Sequence, residues 1–436
     1  MKFKDFLYSK KEDKKHTVLT FFGVKIKFKP FCLKTKFQRK EKCYDIGILS
    51  VNINSRICNF GAALHSYAFH KYLEKKGVNS VIINYYPESI RSLFITTQIF
   101  HNIKNCEFKN LFKNLCNAFY IFYKKNKFIR FFKKNCNITK YRYELDTLHQ
   151  LKNINRFVVE TDVTWLKYKS GFDRGFFCDL ENMKNKGNVA YSVDFGSKFF
   201  SEKDSKIFNK YMDNFKYISI RNIFKLDYFK EITGRKDAII TIDPVFLLKT
   251  EDYQKIALKP KIKGDYVFVF NCVENNPEML KQASFYAEKH NLKLIVVNSF
   301  VNNIIDWKKS FPTPIGIEEF LGNIQYCKYF FTNSYHGICF AIIFGIPFAC
   351  YERKGNNDKI LTILNLFDLE DRLVKDGCIP ISEINYSEVN KKWLTLKSES
   401  EKFIDKSCVI NGCNPCVERI SGGGSLLVGF LHCIQT

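Results

Sequence analysis

Residues 45–51, DIGILSV, form a short apolar run followed by a polar loop, NINSRICNFG (52–61). An amphipathic helical pattern, AALHSYAFHKYLEKK (62–76), comes next, closed by Gly77, and then a second apolar run, SVIINYY (80–86). Runs of this length flanked by turn residues read as strands, and apolar spacings of three and four read as a helix. The β-loop-α-β order starts a parallel, doubly wound α/β sheet, in which ligands bind beyond the carboxyl ends of the strands.

The pattern continues downstream. Further apolar pieces occur at 156–162, 188–196, 217–222 and 238–248, alternating with expected helices at 200–215 and 222–231. A second round begins with the strand DYVFVFN (265–271), then a helix at 276–290 and the strand LKLIVVN (292–298). It ends with a helix at 317–327, the strand YFFTN (329–333), a helix at 338–345 and the strand PFACY (347–351). At 436 residues the chain exceeds one ordinary core. The pattern therefore predicts a basic extension (1–43), a Rossmann-like domain (44–250) with a basic helical insertion at about 90–150, a second such domain (251–406) and a tail (407–436). Within the extension only Val24 to Phe28 alternates enough to suggest a strand or hairpin.

Composition narrows the function classes. Sixteen cysteines scattered through a long chain that opens without a signal peptide point to reduced thiols and a cytoplasmic protein. The net charge of +25 is concentrated: residues 1–43 hold 14 Lys/Arg against 4 Asp/Glu, and residues 101–143 hold 11 against 1. Neither stretch has zinc-finger spacing or an aromatic RNP signature, so nucleic acid is not an expected partner. Basic segments carrying aromatics suit the inner face of a membrane, which fits a peripheral protein, although a solvated basic face explains them equally well. The charge-free stretch 329–351 is interrupted by Thr332, Asn333, Ser334, His336 and Pro347, and reads as buried strand, loop and helix rather than a span.

Four loops fall at expected carboxyl ends of strands: Asn59 with Gly61, Asp162 with Trp165, Arg221, and Asn333 to Gly337. The last, TNSYHG, leads into a helix, whose first N–H groups and positive dipole end favour an anion. His336 would stand beside that anion. A lone histidine in such a loop is, by spacing alone, more simply a hydrogen-bonded structural residue.

Together these segments resemble the polysaccharide pyruvyl transferase family over roughly residues 45–375. NFGAALHSYAFHKYL (59–73) is similar to the family's opening Asn-aromatic-Gly loop and helix, and AYSVDFG to its Tyr-Ser-x-x-Phe-Gly strand end. SIRN and IDPVFLL look like its Ser-Val/Ile-Arg and Asp-Pro-x-Phe-Leu-Leu pair. IEEFLGNIQYCKYFFTNSYHGICFAIIFGIPF (317–348) looks like its Asn-Ser-aromatic-His-Gly core with the flanking helix and strand.

The resemblance implies two Rossmann-like domains facing a cleft, similar to the GT-B glycosyltransferase architecture. It also implies transfer of a pyruvyl group from phosphoenolpyruvate, a co-substrate rather than a cofactor, to hydroxyls of a saccharide or lipid-linked saccharide in building a cell-surface polysaccharide. Arg221 corresponds to the motif arginine, and its planar fork suits the donor carboxylate. His336 corresponds to the motif histidine, with acid, base and phosphate ligand all open as roles. Asn333, Ser334, Gly337, Asn59 and Gly61 would line the donor site, with Arg353, Lys354 and Lys359 placed to meet phosphate. Ser192, Asp162 and Trp165 would be acceptor-side or structural, and no metal is expected.

One segment departs from the pattern. Where the family commonly has Gly-Ser-Asp-Gln-x-Trp, this chain reads ETDVTW (160–165), with Glu160 in place of glycine and Val163 in place of glutamine. Two alternatives follow: a nucleotide-sugar glycosyltransferase on the same architecture, and a catalytically silent glycan- or membrane-binding relative. Cys408, Cys413 and Cys416 have an iron–sulfur spacing with Cys433 as a fourth, but the tail offers no further support for such a site.

Overall fold

Alternating lysine-rich segments pair at the N-terminus. In the computed structural model β1 (Tyr8–Glu12), β2 (Thr17–Phe21) and β3 (Val24–Phe28) form an antiparallel meander with Tyr8 opposite Phe21 and Phe21 opposite Val24. The structure describes residues 8–12, 17–21, 24–28, 42–51, 58–87, 108–160, 164–167, 171–196, 199–272, 274, 276–298, 314–353, 357–375 and 377–409. The piece Val24 to Phe28, expected to form a strand or hairpin, is thus one of three strands, in a unit (Met1–Lys42) separate from the rest.

From Cys43 onward the chain forms one unit containing two parallel sheets. The first is built from β4 (Tyr44–Leu49), α1 (Phe60–Lys75), β5 (Ser80–Ile82), α2 (Phe108–Asn135), β6 (Ile154–Glu160), β7 (Asn188–Val193), α3 (Glu202–Met212), β8 (Phe215–Ile220), α4 (Leu226–Thr233) and β9 (Ile239–Ile240). Its strand order is β5-β4-β6-β7-β8-β9. After α5 (Thr250–Gln254), the second uses β10 (Tyr266–Asn271), α6 (Pro277–Lys289), β11 (Lys293–Asn298), α7 (Ile317–Gln325), β12 (Tyr329–Thr332), α8 (Tyr335–Phe344), β13 (Phe348–Cys350), α9 (Asp358–Phe367) and α10 (Tyr386–Ser407). Its order is β11-β10-β12-β13, again all parallel. The fold class is the doubly wound α/β arrangement that the sequence predicts.

The two halves share a core. Phe60, at the start of α1, stacks on Phe320 of α7 at 4.3 Å and meets Phe270 of β10 edge-on at 5.7 Å. These buried rings are contributed by both sides of the expected boundary near residue 250. The last helix also returns to the first half. Ser400 of α10 accepts a hydrogen bond from Ile242 N at 2.9 Å, Trp393 donates to Phe246 O at 2.7 Å, and Arg156 of β6 donates to Ser407 O.

Some elements differ from their sequence pattern for identifiable reasons. The apolar run 238–248 yields only a two-residue strand, because Asp243 caps a 3-10 turn that starts at Pro244. The Asp243 carboxylate accepts from Val245 N at 3.2 Å, and proline cannot donate to a ladder. Residues 329–351 form β12, α8 and β13, and no described helix is long and apolar enough to cross a membrane. Within the insertion, α2 buries Phe128, Phe131 and Phe132, while Phe122 (66 % exposed) and Tyr123 (56 %) face outward among lysines.

Candidate functional site

Parallel strands deliver their carboxyl ends to one edge, and that edge carries a cluster of buried charges. β7 runs into Asp194, β8 into Arg221, and the turn after β9 into Asp243. All three side chains are almost fully buried. Arg221 Nη2 donates to Asp194 Oδ2 at 2.9 Å and Nη1 to Asp243 Oδ2 at 3.1 Å, so the guanidinium fork is spread across two carboxylates. Its face lies 4.6 Å from the Tyr335 ring. The second half supplies Lys359, whose Nζ stands 3.5 Å from Asp194 Oδ2, and His336, whose Nε2 stands 3.5 Å from Asp243 Oδ2. The His336 contact is longer than an ordinary hydrogen bond.

A glycine makes this approach possible. Asn59 caps α1, its Oδ1 accepting from Gly61 N at 2.9 Å, and so fixes Gly61 in the first turn. A Cβ built on Gly61 would lie 2.0 Å from His336 Nδ1 and 2.4 Å from Cγ. The ring therefore rests on the glycine backbone, and α1 and α8 meet where a side chain would keep them apart.

A second polar pair lies behind the histidine. His65, one turn beyond Gly61, sits with its ring centroid 5.7 Å from that of His336. Its Nδ1 is 3.0 and 3.1 Å from the two carboxylate oxygens of Glu160, and Ser66 Oγ donates to the same carboxylate at 2.5 Å. Glu160 is the last residue of β6 and is wholly buried. The departure from the family pattern thus lies at a strand end, where its charge has partners waiting on α1.

The environment sets the charge states. Burial pushes the Asp194 carboxyl up, but Lys359, Arg221 and the hydrogen bond from Gly196 N outweigh it and hold the pKa at about 2. Asp243 is likewise penalised by burial, yet His336, Arg221 and His65 hold it well below the usual carboxylate range. His336 moves down from the ordinary imidazole value. Burial is the largest cause, the Asp243 charge opposes it, and His65 and Arg221 reinforce it. A neutral imidazole held between an aspartate and a glycine backbone is suited to exchanging a proton near neutral pH.

The other anticipated residues serve this centre in different ways. Asn333 ties β12 to the end of β10, its Oδ1 accepting from Cys272 N at 2.6 Å. Ser334 caps α8 by accepting from Gly337 N at 3.1 Å, and Thr332 Oγ1 accepts from Ser334 N at 3.1 Å. Two N–H groups of the TNSYHG turn are therefore satisfied internally, and the turn fixes the start of the helix that carries His336. Gly337 is packed against Thr332, where a Cβ would come within 2.7 Å of Oγ1.

Ser192 adopts a left-handed φ of 51° at a register shift in β7, where its N–H bonds Ser219 Oγ at 2.9 Å. That irregularity precedes Asp194 by two residues, which is where strained backbone tends to serve a site. Trp165 lies in the core of the first half, stacked on Phe177 at 5.5 Å with Nε1 donating to Phe176 O at 3.0 Å. Of its two expected roles, its surroundings are those of the structural one. Arg353 N donates to Asn357 Oδ1 at 2.7 Å, beside the start of α9, the helix that carries Lys359. Asp162, Val163 and Lys354 lie outside the described residues, as do Cys413, Cys416 and Cys433, while Cys408 is buried at the end of α10. Among the described residues no group of three His, Cys, Asp or Glu side chains could hold a metal ion.

Asp194, Asp243 and His65 were not singled out by sequence reasoning. The signal for the aspartates was present, since both stand within motifs that carry the resemblance, YSVDFG and IDPVFLL. His65 is four residues after Gly61, on the same helix face.

No curated protein matches the sequence. In structure the chain is similar to UDP-GlcNAc 2-epimerase from Methanocaldococcus jannaschii, at 13% identity and a TM-score of 0.42 over 80% of this chain and 90% of that one. It is also similar to UDP-GlcNAc 2-epimerase from Neisseria meningitidis bound to UDP-GlcNAc, at 11% identity and a TM-score of 0.40 over 84% and 94%. A third similar structure is E. coli ADP-heptose lps heptosyltransferase II, at 9% identity and a TM-score of 0.31 over 82% and 99%. The family model for polysaccharide pyruvyl transferase matches residues 59–355, a span that opens on Asn59 and contains Glu160, Asp194, Arg221, Asp243 and His336. With more than half its length matched, the chain belongs to the polysaccharide pyruvyl transferase family.

Proposed function

We propose that this protein transfers a pyruvyl group from phosphoenolpyruvate to two hydroxyls of a saccharide, forming a cyclic ketal and releasing phosphate. The observation that carries the reading is the seating of His336 on Gly61, beside Asp243 and Arg221, at the meeting of the two halves. Family membership supplies the reaction class, and the site has groups suited to it.

The donor's methylene carbon takes up a proton, which leaves the central carbon cationic. A first sugar hydroxyl adds there and gives up its proton, and a second hydroxyl displaces phosphate, which departs with the second proton. The proton consumed at the methylene is matched by the one lost from the first hydroxyl. His336 is proposed to take that hydroxyl proton. Asp243 orients the ring and stabilises the imidazolium that results. Arg221, held by Asp194 and Asp243, and Lys359 supply the positive field for the donor's carboxylate and phosphate.

The acceptor is proposed to be a lipid-linked or free glycan of a cell-surface polysaccharide, met at the inner face of a membrane. The exposed Phe122 and Tyr123 on the basic helix α2 fit an anionic lipid surface. The test is phosphate release from phosphoenolpyruvate across a panel of glycans. Turnover should require a saccharide and be abolished in a folded His336→Ala variant. Absence of both donor binding and turnover with every glycan would refute the assignment.

A further inference from the structure

Two phenylalanines turned to solvent follow the charged residues of the centre along the chain. Phe199 comes five residues after Asp194, and Phe224 three residues after Arg221. They are 69 % and 55 % exposed, whereas Phe195, Phe208 and Phe229 of the same segments are buried. Three residues of chain span at most about 11 Å, so the Phe224 backbone lies no further than that from the Arg221 backbone.

Both rings are held in place. Phe200 N donates to Tyr228 Oη at 2.7 Å, and the Phe200 ring packs on Phe195 and Phe208. Its neighbour Phe199 meets Tyr228 edge-on at 4.7 Å and has the ammonium of Lys225 3.6 Å from its ring centroid. Lys225 is itself buried, so this cation–π contact is partly desolvated and correspondingly stronger. Asn222 fixes the turn of Phe224: its Oδ1 accepts from Phe224 N at 3.0 Å and from Thr362 Oγ1 at 3.2 Å. Thr362 lies on α9, three residues beyond Lys359, whose Nζ is 3.5 Å from Asp194 Oδ2. The turn that presents Phe224 is thus tied to the helix that supplies Lys359 to the centre.

Exposed apolar rings on a fixed frame beside a polar centre mark a binding surface. Its area decides what fits. A phenylalanine offers roughly 150–250 Å², so two rings at these exposures present about 200–300 Å², far short of the roughly 1,000 Å² that a protein interface needs. A saccharide matches this size and chemistry, because a pyranose has an apolar face of C–H groups that rests on an aromatic ring, and hydroxyls at its edge that remain free for polar partners. Trp165 cannot act in this way, being enclosed in the core.

We propose that Phe199 and Phe224 form an acceptor subsite, a platform on which the C–H faces of pyranose rings rest while a pair of hydroxyls is held towards His336. Lys225 and Asn222 are positioning residues that fix the two rings. Binding of a sugar by the rings is independent of the reaction, whereas the fate of that sugar rests on the pyruvyl-transfer reading.

The experiment is saturation-transfer nuclear magnetic resonance of the full-length protein with lactose, cellobiose, chitobiose and maltose, in the absence of phosphoenolpyruvate. The wild type is expected to transfer saturation to ring C–H protons of at least one of these sugars. The double variant Phe199→Ala, Phe224→Ala should lose that transfer with its thermal unfolding unchanged, and the double variant Phe199→Trp, Phe224→Trp, which keeps two aromatic faces, should retain it. In saccharide-dependent phosphate release, each alanine should raise the KM for the saccharide about tenfold, from the apolar contact it removes, and leave the KM for phosphoenolpyruvate unmoved. No saturation transfer from the wild type to any of these sugars, transfer undiminished in the double alanine variant, or a KM that rises for phosphoenolpyruvate instead would overturn the proposal. Loss of phosphatidylserine vesicle binding rather than sugar binding in that variant would also overturn it, assigning the rings to a lipid surface. Sugar binding that depends on the rings, in a protein that transfers no pyruvyl group, would uphold the platform and refute only the reaction. Pyruvyl transfer indifferent to both alanines would do the reverse.

Discussion

Replacing Gly61 by alanine adds one methyl group at the point where α1 and α8 touch. An ideal Cβ would sit 2.0 Å from His336 Nδ1, 2.4 Å from Cγ and 2.7 Å from Cε1. Non-bonded heavy atoms settle at roughly 3.5 Å or more, so the ring must retreat by about 1.5 Å or the helices must separate. The helix itself does not resist alanine, since Gly61 lies inside α1 and is not among the residues with positive φ. The strain is therefore all at the histidine. Overpacking of this kind costs about 1–3 kcal/mol, and misplacement of a reacting group by about 1 Å costs on the order of 100-fold in rate.

Gly322→Ala is the control. Its Cβ would lie 1.8 Å from Leu258 O, so it should lower stability without moving His336. The assay pairs thermal unfolding with saccharide-dependent phosphate release. We expect both variants to melt earlier and Gly61→Ala alone to lose about two orders of magnitude in kcat while still folded. A Gly61→Ala variant with wild-type turnover would show that the ring does not need its seat on the glycine, and would refute the reasoning.

Other expectations follow from the same contacts. Arg221→Lys replaces a fork that reaches two buried aspartates by a single ammonium, and chemical denaturation should register a loss of about 3–5 kcal/mol, as for a broken buried pair. Because the folded-state pKa of Asp194 is depressed to about 2, its stabilisation is present above the unfolded carboxylate value near 3.9. That stabilisation disappears as pH falls through about 2, so an Asp194→Asn variant should show a flatter acid-denaturation profile than the wild type. Trp165→Ala should cost about 3–5 kcal/mol in unfolding experiments, because the ring is enclosed by Phe177, Phe208, Phe215 and Phe229. Replacing Phe122 and Tyr123 by serine, with Arg130 and Lys133 changed to glutamate, should reduce co-flotation with phosphatidylserine vesicles, and the wild-type binding should weaken with salt.

The sheets were legible because parallel strands buried on both faces read as uninterrupted apolar runs, as at 265–271 and 329–333. Where a run also contained a turn, as at Asp243-Pro244, the pattern overstated the strand. The N-terminal meander was harder to see, because lysines alternate there with apolar residues and only one of the three strands stood out. At the site, His336 and Arg221 were found through motif order. Their partners were less visible because each pairing joins distant positions. Glu160 reads as an intrusion into a glycine turn until α1 is seen to bring His65 and Ser66 to it from 95 and 94 residues away. Gly61 was taken to admit a ligand, and what it demonstrably admits is the ring of His336.

Pyruvyl transfer changes the mass of the acceptor, and that change tests it most directly. Purified protein would be incubated with phosphoenolpyruvate and a panel of lipid-linked and free glycans, and the products analysed by mass spectrometry. A glycan heavier by one pyruvic acid less one water is expected, with release of one phosphate per ketal, and no such product from the folded His336→Ala variant. A glycan unchanged by phosphoenolpyruvate but extended by a sugar from a nucleotide-sugar donor would contradict pyruvyl transfer.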